Sequence, residues 1–354
     1  MNDRIIDDVL KGSRLSDDQF LKLYSEADLY QLGYLAAEVR KKKHPEKLVT
    51  YVVDRNVNYT DICISACKFC AFYKQPASGE GYLLSRQELK QKIDETLALG
   101  GTQILLQGGL HPDLRLDYYE ELVSFIKSCG IKVHGFSPPE IHHFSTISGL
   151  TVTEVLDRLI AAGLDSIPGG GAEILTDRVR KLVAPKKCSA DQWLEVMEQA
   201  HDKGLRTTAT MMFGHIETVE ERVEHLRRLR SLQDRTGGFT AFIPWPFQAD
   251  NTTLFDEGSS SKTSGWEYLR MLALARIYLD NFDNIQASWV TQGPKIAQLS
   301  LHFGANDFGS TMIEENVVAA AGVSFSLSEK EICRLVADAG FIPQQRLMDY
   351  TRIN

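Results

Sequence analysis

Three cysteines fall within eight consecutive residues of this chain, in the segment CISACKFCAFYK (63–74). Cys63, Cys67 and Cys70 are separated by three and by two residues, so their thiolates can surround one small inorganic centre. Structural zinc sites usually have four protein ligands, often as two separated Cys-x-x-Cys pairs. Iron–sulfur clusters normally take four cysteines as well. A set of three therefore predicts a centre with one position open to a ligand that is not protein, which is typical of a catalytic metal site.

The other three of the chain's six cysteines, Cys129, Cys188 and Cys333, are isolated from this segment and from one another. Cys129 and Cys333 lie in stretches with helical periodicity, and Cys188 precedes a predicted helix, so we expect all three to be structural. The sequence offers no second Cys-x-x-Cys pair to complete a zinc site. A zinc-stabilised binding protein without enzymatic activity is nevertheless an alternative from a different functional class.

The composition is that of an ordinary globular chain of 354 residues, with 43% hydrophobic residues, 24% charged residues and a net charge of −8. Its lysines and arginines are dispersed apart from a short cluster at 40–43, which gives nucleic-acid binding no electrostatic support. We see no apolar run that approaches 18 residues and expect no membrane span. The segment MNDRIIDDVLKGS lacks the apolar core of a signal peptide. Sparse, clustered cysteines favour a reducing compartment, and we expect a cytoplasmic protein.

Short apolar runs alternate with amphipathic helices after residue 45. The runs that we interpret as strands are 51–59, 103–109, 132–137, 165–170, 206–214, 239–247, 284–290 and 305–310. Ser85 with Glu88, and Thr218 with Glu221, fit the capping box that begins a helix. Eight alternating strand and helix units predict an α/β fold of the (β/α)8 TIM-barrel type, with a doubly wound open sheet as the alternative.

The barrel has an extension at each end of the chain. Residues 1–45 predict an N-terminal helical extension that ends at His44, because proline disfavours helix in the residue before it. Residues 46–325 form the predicted barrel. Residues 326–354 predict a C-terminal helix and a closing strand or extended arm packed on it.

Unusual polar and glycine-rich sequences follow every predicted strand. In chain order they are CISACKFC, QGGLHPD, SPPE, PGGGAE, GHIE, PWPFQADN, WVTQG and ANDFGST. Any one of them is compatible with an ordinary turn. Because active sites of such barrels lie at the C-terminal ends of the strands, the eight together predict one continuous site at that rim.

The motif C-x3-C-x2-C, with the aromatic Phe69 before its last cysteine, resembles the signature of the radical S-adenosylmethionine (radical SAM) superfamily. The resemblance implies a 4Fe-4S cluster held by Cys63, Cys67 and Cys70, whose open iron is chelated by S-adenosyl-L-methionine (SAM). It also implies an external one-electron donor of the flavodoxin or ferredoxin type. An electron from the cluster would split SAM and release a 5′-deoxyadenosyl radical.

Further positions resemble the SAM contacts of that superfamily. Gln107 and Gly108 stand where many members have a GGE motif, and Thr210-x-Met212-x-Gly214-x-x-Glu217 resembles the element G-x-I-x-G-x-x-E, from which Thr210 departs. Glu173 can bind a ribose hydroxyl or cap the next helix. The resemblance thus implies the following cofactor-binding residues: Phe69, Tyr73, Gln107, Gly108, Ser137, Glu173, Met212, Gly214 and Glu217.

Longer stretches narrow the resemblance within the superfamily. NVNYT, PGGGAE and FIPWPFQ are similar to sequences of the futalosine-pathway enzymes of menaquinone biosynthesis and of the deazaflavin synthase halves, over roughly residues 50–325. The best match is the cyclase of the futalosine pathway, and aminofutalosine synthase is the alternative. The match implies a nucleoside-derived small-molecule substrate, hydrogen abstraction at C4′ of its ribose and attack of the sugar radical on a benzoate ring.

The substrate residues are expected mainly on the last strands of the barrel. Tryptophans can wall the arene, polar side chains can bind hydroxyl or keto groups, and Arg55 can pair with the carboxylate or with an acidic side chain. The candidates are Arg55, Trp245, Gln248, Gln286, Ser288, Trp289, Asn306, Asp307, Ser310 and Thr311. Glu173, His215 and Asp307 are the candidate catalytic residues, because a carboxylate or an imidazole can accept the final proton.

Overall fold

Ten strands and fifteen α-helices alternate in the computed structural model, which describes residues 3–257 and 262–353. The strands are Leu48–Val52 (β1), Asp54–Asn58 (β2), Gln103–Gln107 (β3), Lys132–Gly135 (β4), Ser166–Ile167 (β5), Arg206–Phe213 (β6), Phe239–Pro246 (β7), Asn284–Ile285 (β8), Asp307–Ser310 (β9) and Ile342–Gln345 (β10). The helices are Asp3–Lys11 (α1), Asp17–Glu26 (α2), Leu29–Lys43 (α3), Arg86–Ala98 (α4), Leu116–Ser128 (α5), Pro138–Ser148 (α6), Val152–Ala162 (α7), Asp177–Val183 (α8), Ala190–Asp202 (α9), Val219–Thr236 (α10), Thr253–Asp256 (α11), Gly265–Tyr278 (α12), Trp289–Ser300 (α13), Val317–Ala320 (α14) and Glu329–Asp338 (α15). A short 3-10 helix covers Pro76–Ser78.

The parallel strands close into a barrel. Strands β2 to β8 are neighbours in chain order, and β9 pairs with β1. Ala287, just after β8, donates to the carbonyl oxygen of Asp307 at 2.9 Å, which joins β8 to β9. Strands β1 and β2 are separated by Val53 alone and act as one bent first strand. The predicted (β/α)8 barrel is therefore confirmed.

The C-terminal segment adds a strand outside the ring. Strand β10 pairs in parallel with β1, with Leu48 opposite Ile342. The backbone N–H of Arg346 then donates to the carbonyl oxygen of Tyr51 at 2.9 Å. Arg346, Met348 and Tyr350 consequently line the interior of the barrel.

The helices begin where the sequence signals predicted. The hydroxyl of Ser85 accepts a hydrogen bond from the N–H of Glu88 at 3.2 Å, and Ser85 donates its own N–H to that glutamate at 2.9 Å. Thr218 and Glu221 form the same capping box before α10. Such a cap contributes about 1 kcal/mol. No described helix has the length and hydropathy needed to cross a membrane.

The predicted seventh strand is too long. The ladder with β7 ends at Ile285, a single bridge joins Gln286 to Asp307, and α13 begins at Trp289, so the prediction of strand over 287–290 is wrong. The N–H of Ser288 donates to the hydroxyl of Tyr268 at 2.7 Å, and this contact helps to turn the chain out of the barrel. The apolar run QASWV does not by itself distinguish a buried strand from the first turn of a buried helix.

Candidate active site

The cysteine loop lies directly after β2, at the C-terminal rim of the barrel. Three backbone hydrogen bonds anchor it: Cys63 N–H donates to Lys74 at 2.9 Å, Ile64 to Leu110 at 3.0 Å and Lys68 to Val183 at 2.9 Å. Leu110 follows β3, and Val183 is the last residue of α8. Two of these bonds tie the loop to neighbouring segments, and the bond between Cys63 and Lys74 closes the loop on itself.

The cysteine sulfurs receive hydrogen bonds that suit thiolates. Sγ of Cys63 accepts from the N–H groups of Ser65 at 3.4 Å and Leu110 at 3.3 Å. The hydroxyl of Ser65 lies 3.1 Å from Sγ of Cys67. Burial raises the pKa of Cys67 to about 11 and also raises the pKa of Cys70. Bare thiolates are therefore disfavoured, and bound iron would supply the positive charge that stabilises them.

The three cysteines fit a cluster better than a single ion. Among the residues that the structure describes, no three side chains of His, Cys, Asp or Glu converge closely enough to hold one metal ion. In an iron–sulfur cluster each cysteine binds a different iron, so the thiolates need not converge on one point as they would around zinc.

A cavity of about 280 Å³ occupies the barrel interior. Its walls come from the inward-facing residues of the strands and from the segment after β10. Of the residues proposed from the sequence, it is lined by Gln107, Trp245, Gln286, Ser288, Trp289 and Ser310. We call it the main cavity.

A smaller pocket of about 60 Å³ lies between the cysteine loop and the main cavity. Phe69, Cys70, Met212 and Gln248 line this cluster-side pocket. Trp245 lines both spaces, as do two residues of α14. A ligand bound at the cysteines would thus meet a second ligand in the main cavity beside Trp245.

Glu140 connects three segments of the rim. Its carboxylate accepts hydrogen bonds from the hydroxyls of Ser137 at 2.6 Å and Tyr59 at 2.8 Å, and from the N–H of Gly108 at 3.0 Å.

The QGG turn after β3 packs against the start of the cysteine loop. A Cβ at Gly109 would lie 2.2 Å from the carbonyl oxygen of Ile62. Only glycine allows the QGG turn to pack this closely against the start of the cysteine loop.

The turn after β6 is organised by Glu217. Its carboxylate accepts from the N–H groups of Gly214 at 2.6 Å and His215 at 2.9 Å, and from Arg222 at 2.8 Å. Burial alone would raise the pKa of Glu217, but His215, Arg222 and the two N–H groups hold it below its ordinary value. The imidazole Nε2 of His215 lies 3.1 Å from the carbonyl oxygen of Met212, and burial lowers its pKa.

Glu173 contacts the cysteine loop indirectly, through a lysine side chain. Its carboxylate pairs with Nζ of Lys187 at 2.9 Å, and that nitrogen lies 5.0 Å from the ring centroid of Phe69. Burial opposes the charge of Lys187, but Cys67 and Glu173 hold its pKa above the ordinary value. The carbonyl oxygen of Glu173 accepts from the N–H of Met212 at 3.0 Å, so the residue adjoins the cluster-side pocket. Tyr73 lies apart, at an open surface depression.

Four residues proposed to bind substrate are not brought into either space. Arg55 points outward and pairs with Glu95 at 2.8 Å. The other three contact the barrel itself: Asn306 binds Arg276 and the N–H of Ile285, Asp307 binds Arg346 and Thr50, and Thr311 binds the backbone of Asp54. Their hydrogen-bonding groups serve to join strands.

Several residues that line the main cavity were not proposed from the sequence. The most polar of them are Asp54, Asn56, Gln103, His134, Glu315 and Arg346. A signal existed for the first two, since Asp54, Asn56 and Asn58 alternate with other residues along β2, and side chains two apart in a strand share a face. Arg346 has no such signal because it reaches the site from the other end of the chain.

Family comparisons cover nearly the whole chain. The model of the radical SAM superfamily matches residues 57–229, and that of the CofH/MqnC C-terminal region matches residues 236–354. The cyclic dehypoxanthine futalosine synthase of Halalkalibacterium halodurans is 46% identical, over 98% of this chain and 94% of the relative. The aminodeoxyfutalosine synthase of Thermus thermophilus is 44% identical, over 97% and 93%.

A third relative has another activity. The 5-amino-6-(D-ribitylamino)uracil–L-tyrosine 4-hydroxyphenyl transferase of Archaeoglobus fulgidus is 44% identical, over 90% of this chain and 92% of the relative. Among solved structures, the FeFe-hydrogenase maturase HydG from Carboxydothermus hydrogenoformans superimposes with a TM-score of 0.78. At 20% identity, over 98% of this chain and 80% of that chain, it shows a shared fold.

Proposed function

The chain belongs to the radical SAM superfamily, and we infer that within it the protein converts dehypoxanthine futalosine to cyclic dehypoxanthine futalosine in menaquinone biosynthesis. A synthase of that name is 46% identical over 98% of the chain. The observation that carries the proposal is the position of Trp245, which lines both the cluster-side pocket and the main cavity. That arrangement suits a reaction in which a radical formed at the cysteine loop acts on a second molecule inside the barrel.

Cys63, Cys67 and Cys70 are the residues that would hold the 4Fe-4S cluster. When bound, the cluster and SAM would supply a 5′-deoxyadenosyl radical as hydrogen acceptor, and the chemistry proposed for the substrate is loss of hydrogen from C4′ of its ribose and closure of the sugar onto the benzoate ring. The hydrogen bonds donated to Cys63 and the charge of Lys187 stabilise the anionic sulfurs. Phe69 and Met212 line the space next to Cys70, where the cofactor's organic part would lie.

The residues of the main cavity position the substrate. Trp245 and Trp289 offer flat apolar surfaces for the arene, and Gln286, Ser288 and Ser310 offer polar groups. The interior of a closed barrel excludes bulk solvent and the solutes in it, such as thiols, that would quench a carbon radical. Holding the reacting carbon atoms together in one orientation is the main contribution that the protein makes.

The last step removes a proton and an electron from the cyclised ring, and the electron would return to the oxidised cluster or to the external redox partner. Glu173 and His215 remain our candidate proton acceptors, because His215 contacts Met212 of the cluster-side pocket through its imidazole and Glu173 contacts it through its backbone carbonyl oxygen, with one carboxylate oxygen paired with Lys187. Asp307 is a weaker candidate, since Arg346 binds both of its carboxylate oxygens. The reductive start of the reaction needs an electron from outside the chain, which we assign to a flavodoxin- or ferredoxin-type donor in the cytoplasm.

Aminofutalosine synthase is the second candidate, because the aminodeoxyfutalosine synthase of Thermus thermophilus is 44% identical. The two reactions differ in the fate of the adenosyl group, which the cyclase releases and the other enzyme incorporates into its product. Anaerobically reconstituted protein is therefore incubated with SAM, a reductant and either dehypoxanthine futalosine or the enolpyruvyl benzoate. We expect free 5′-deoxyadenosine and a cyclised product with the first substrate. Incorporation of adenosyl into the second, with no turnover of the first, would reject the proposal.

A further inference from the structure

Three polar side chains on two neighbouring strands project into the main cavity. Asp54 of β2 lies opposite Gln103 of β3, and Asn56 is two residues further along β2 on the same face. Their relative exposures are only 2%, 3% and 3%, so solvent outside the barrel does not hydrate them. We call these three residues the polar wall.

Two oxygen atoms of the polar wall have no partner. Among the described residues, no hydrogen bond reaches Oδ1 of Asn56 or Oε1 of Gln103. Their amide orientations are set by the other ends: Nε2 of Gln103 donates to Asp54 at 2.6 Å, and Nδ2 of Asn56 donates to Glu315 at 2.8 Å. Rotating either amide would place its oxygen against a carboxylate. Buried acceptors without partners cost free energy, so these two are suited to a ligand that donates.

Asp54 adds further acceptor capacity. Its carboxylate receives hydrogen bonds from Ser310 and Gln103, whereas a carboxylate has about four lone-pair positions. The nearby guanidinium of Arg346 donates to Asp307 instead, at 2.5 and 3.0 Å. The polar wall is therefore rich in acceptors, and the charge of Arg346 is already balanced by Asp307. Among the groups of a nucleoside-derived substrate, the sugar hydroxyls are the donors that fit.

We propose that Asp54, Asn56 and Gln103 bind the hydroxyl groups of the substrate's sugar and thereby orient its ribose in the main cavity. This assignment rests on the proposed function, which supplies a ribose-bearing substrate.

The test measures binding without turnover. Holoenzyme reconstituted anaerobically is titrated in the presence of SAM and the absence of reductant, with dehypoxanthine futalosine and with its 2,3-dideoxy analogue. Gln103→Met keeps the length of the side chain and removes its oxygen, and Asp54→Asn, which preserves shape, serves if the first variant folds poorly. We expect each variant to bind dehypoxanthine futalosine about tenfold more weakly than the wild type does. Each variant should bind the dideoxy analogue with the wild-type affinity, because the analogue lacks the hydroxyl groups with which the altered side chain interacts. SAM affinity should stay constant, which controls for the fold.

Each alternative result has a defined meaning. If a variant loses equal affinity for both ligands, or loses none for either, the polar wall does not bind the sugar hydroxyls, even if the cyclisation assay succeeds. Wild-type protein that ignores dehypoxanthine futalosine but binds 5-amino-6-(D-ribitylamino)uracil, with Gln103→Met weakening that binding, would sustain hydroxyl recognition and reject the proposed function. Wild-type protein that binds neither ligand would reject both.

Discussion

Arg346, in the segment after the last strand, forms a two-bond ion pair with Asp307 of β9 inside the barrel. Nε and Nη2 of Arg346 lie 2.5 and 3.0 Å from the two carboxylate oxygens, and the side chains are 5% and 0% exposed. The hydroxyl of Thr50 also donates to Asp307 at 2.5 Å. The pair thus fastens the C-terminal segment to the strand at which the barrel closes.

Arg346→Met should destabilise the fold strongly. Removing one partner of a buried ion pair leaves the other charge uncompensated, which costs about 3–5 kcal/mol of unfolding free energy. Chemical denaturation of the cluster-free protein measures the loss. The double variant Arg346→Met/Asp307→Asn should recover part of it, because no lone charge remains.

Arg352→Met is the matched control in the same segment. Arg352 pairs with Glu46 at 3.1 Å, but both side chains are about half exposed. An exposed pair of this kind contributes little, so the control should unfold almost as the wild type does. Similar losses in both variants would show that the buried pair is not what fastens the segment.

Cys63→Ser, Cys67→Ser and Cys70→Ser should each abolish assembly of the cluster and leave the barrel folded. The loop lies at the rim and is anchored by backbone hydrogen bonds, so the core does not depend on the metal. We expect iron content after reconstitution to fall from about four per chain to nearly none. Iron analysis and circular dichroism melting measure the two effects. The control variant Cys129→Ser, altered at the C-terminal end of α5, should take up as much iron as the wild type. If the variants of Cys63, Cys67 and Cys70 are unfolded in the melting experiment, the metal is structural.

The site motifs were predictable because they are local. The three cysteines, the QGG turn and the capping boxes are each defined within a few residues, and barrel topology places them at one rim. Which face of a strand turns inward was harder to predict. All five residues of β2 are buried, because both faces of the strand are covered. The strand therefore shows no alternation of polar and apolar residues that would distinguish Asp54 and Asn56, which face the cavity, from Arg55, which pairs with Glu95.

Long-range contacts were not predictable from sequence patterns. Arg346 enters the cavity 39 residues after its partner Asp307, and it does so only because β10 pairs with β1. The role of Lys187 is similar, since it reaches the cysteine loop from the segment after α8. Periodicity and local motifs carry no information on such contacts between distant parts of a chain.

Lys187→Met should lower the reduction potential of the assembled cluster. The ammonium, whose side chain is 16% exposed, lies beside Cys67 and Cys70 and favours negative charge there, so its loss disfavours the added electron. We expect about a tenfold lower reduced-to-oxidised ratio at a fixed potential, equivalent to about 59 mV for one electron. Redox titration followed by electron paramagnetic resonance measures the shift. Lys186→Met, at an exposed neighbouring residue, is the control and should not shift the potential; an unchanged potential in Lys187→Met would refute the electrostatic role.

Substrate affinity should depend on pH through Asp54. Burial raises the pKa of this carboxyl group, Asp307 adds to the rise, and hydrogen bonds from Ser310 and Gln103 together with the charge of Arg346 oppose it. The charged carboxylate accepts a hydroxyl more strongly than the protonated form. Affinity for dehypoxanthine futalosine should therefore be full above the raised pKa and should decline as the pH falls through it, at a pH above the ordinary range of aspartate. Binding titrations in holoenzyme with SAM and no reductant, between about pH 5 and 8, measure the profile.

The other titratable groups of the cavity allow a sharp control. Burial lowers the pKa of His134 to about 3, so this imidazole stays neutral throughout the range. The pKa of Arg346 lies above its ordinary value, so the guanidinium stays charged. Burial also raises the pKa of Glu315, but this carboxylate is bound by the N–H groups of Val317 and Val318 and by Asn56. Asp54→Asn should flatten the profile, whereas an undiminished slope in that variant would assign the titration to Glu315.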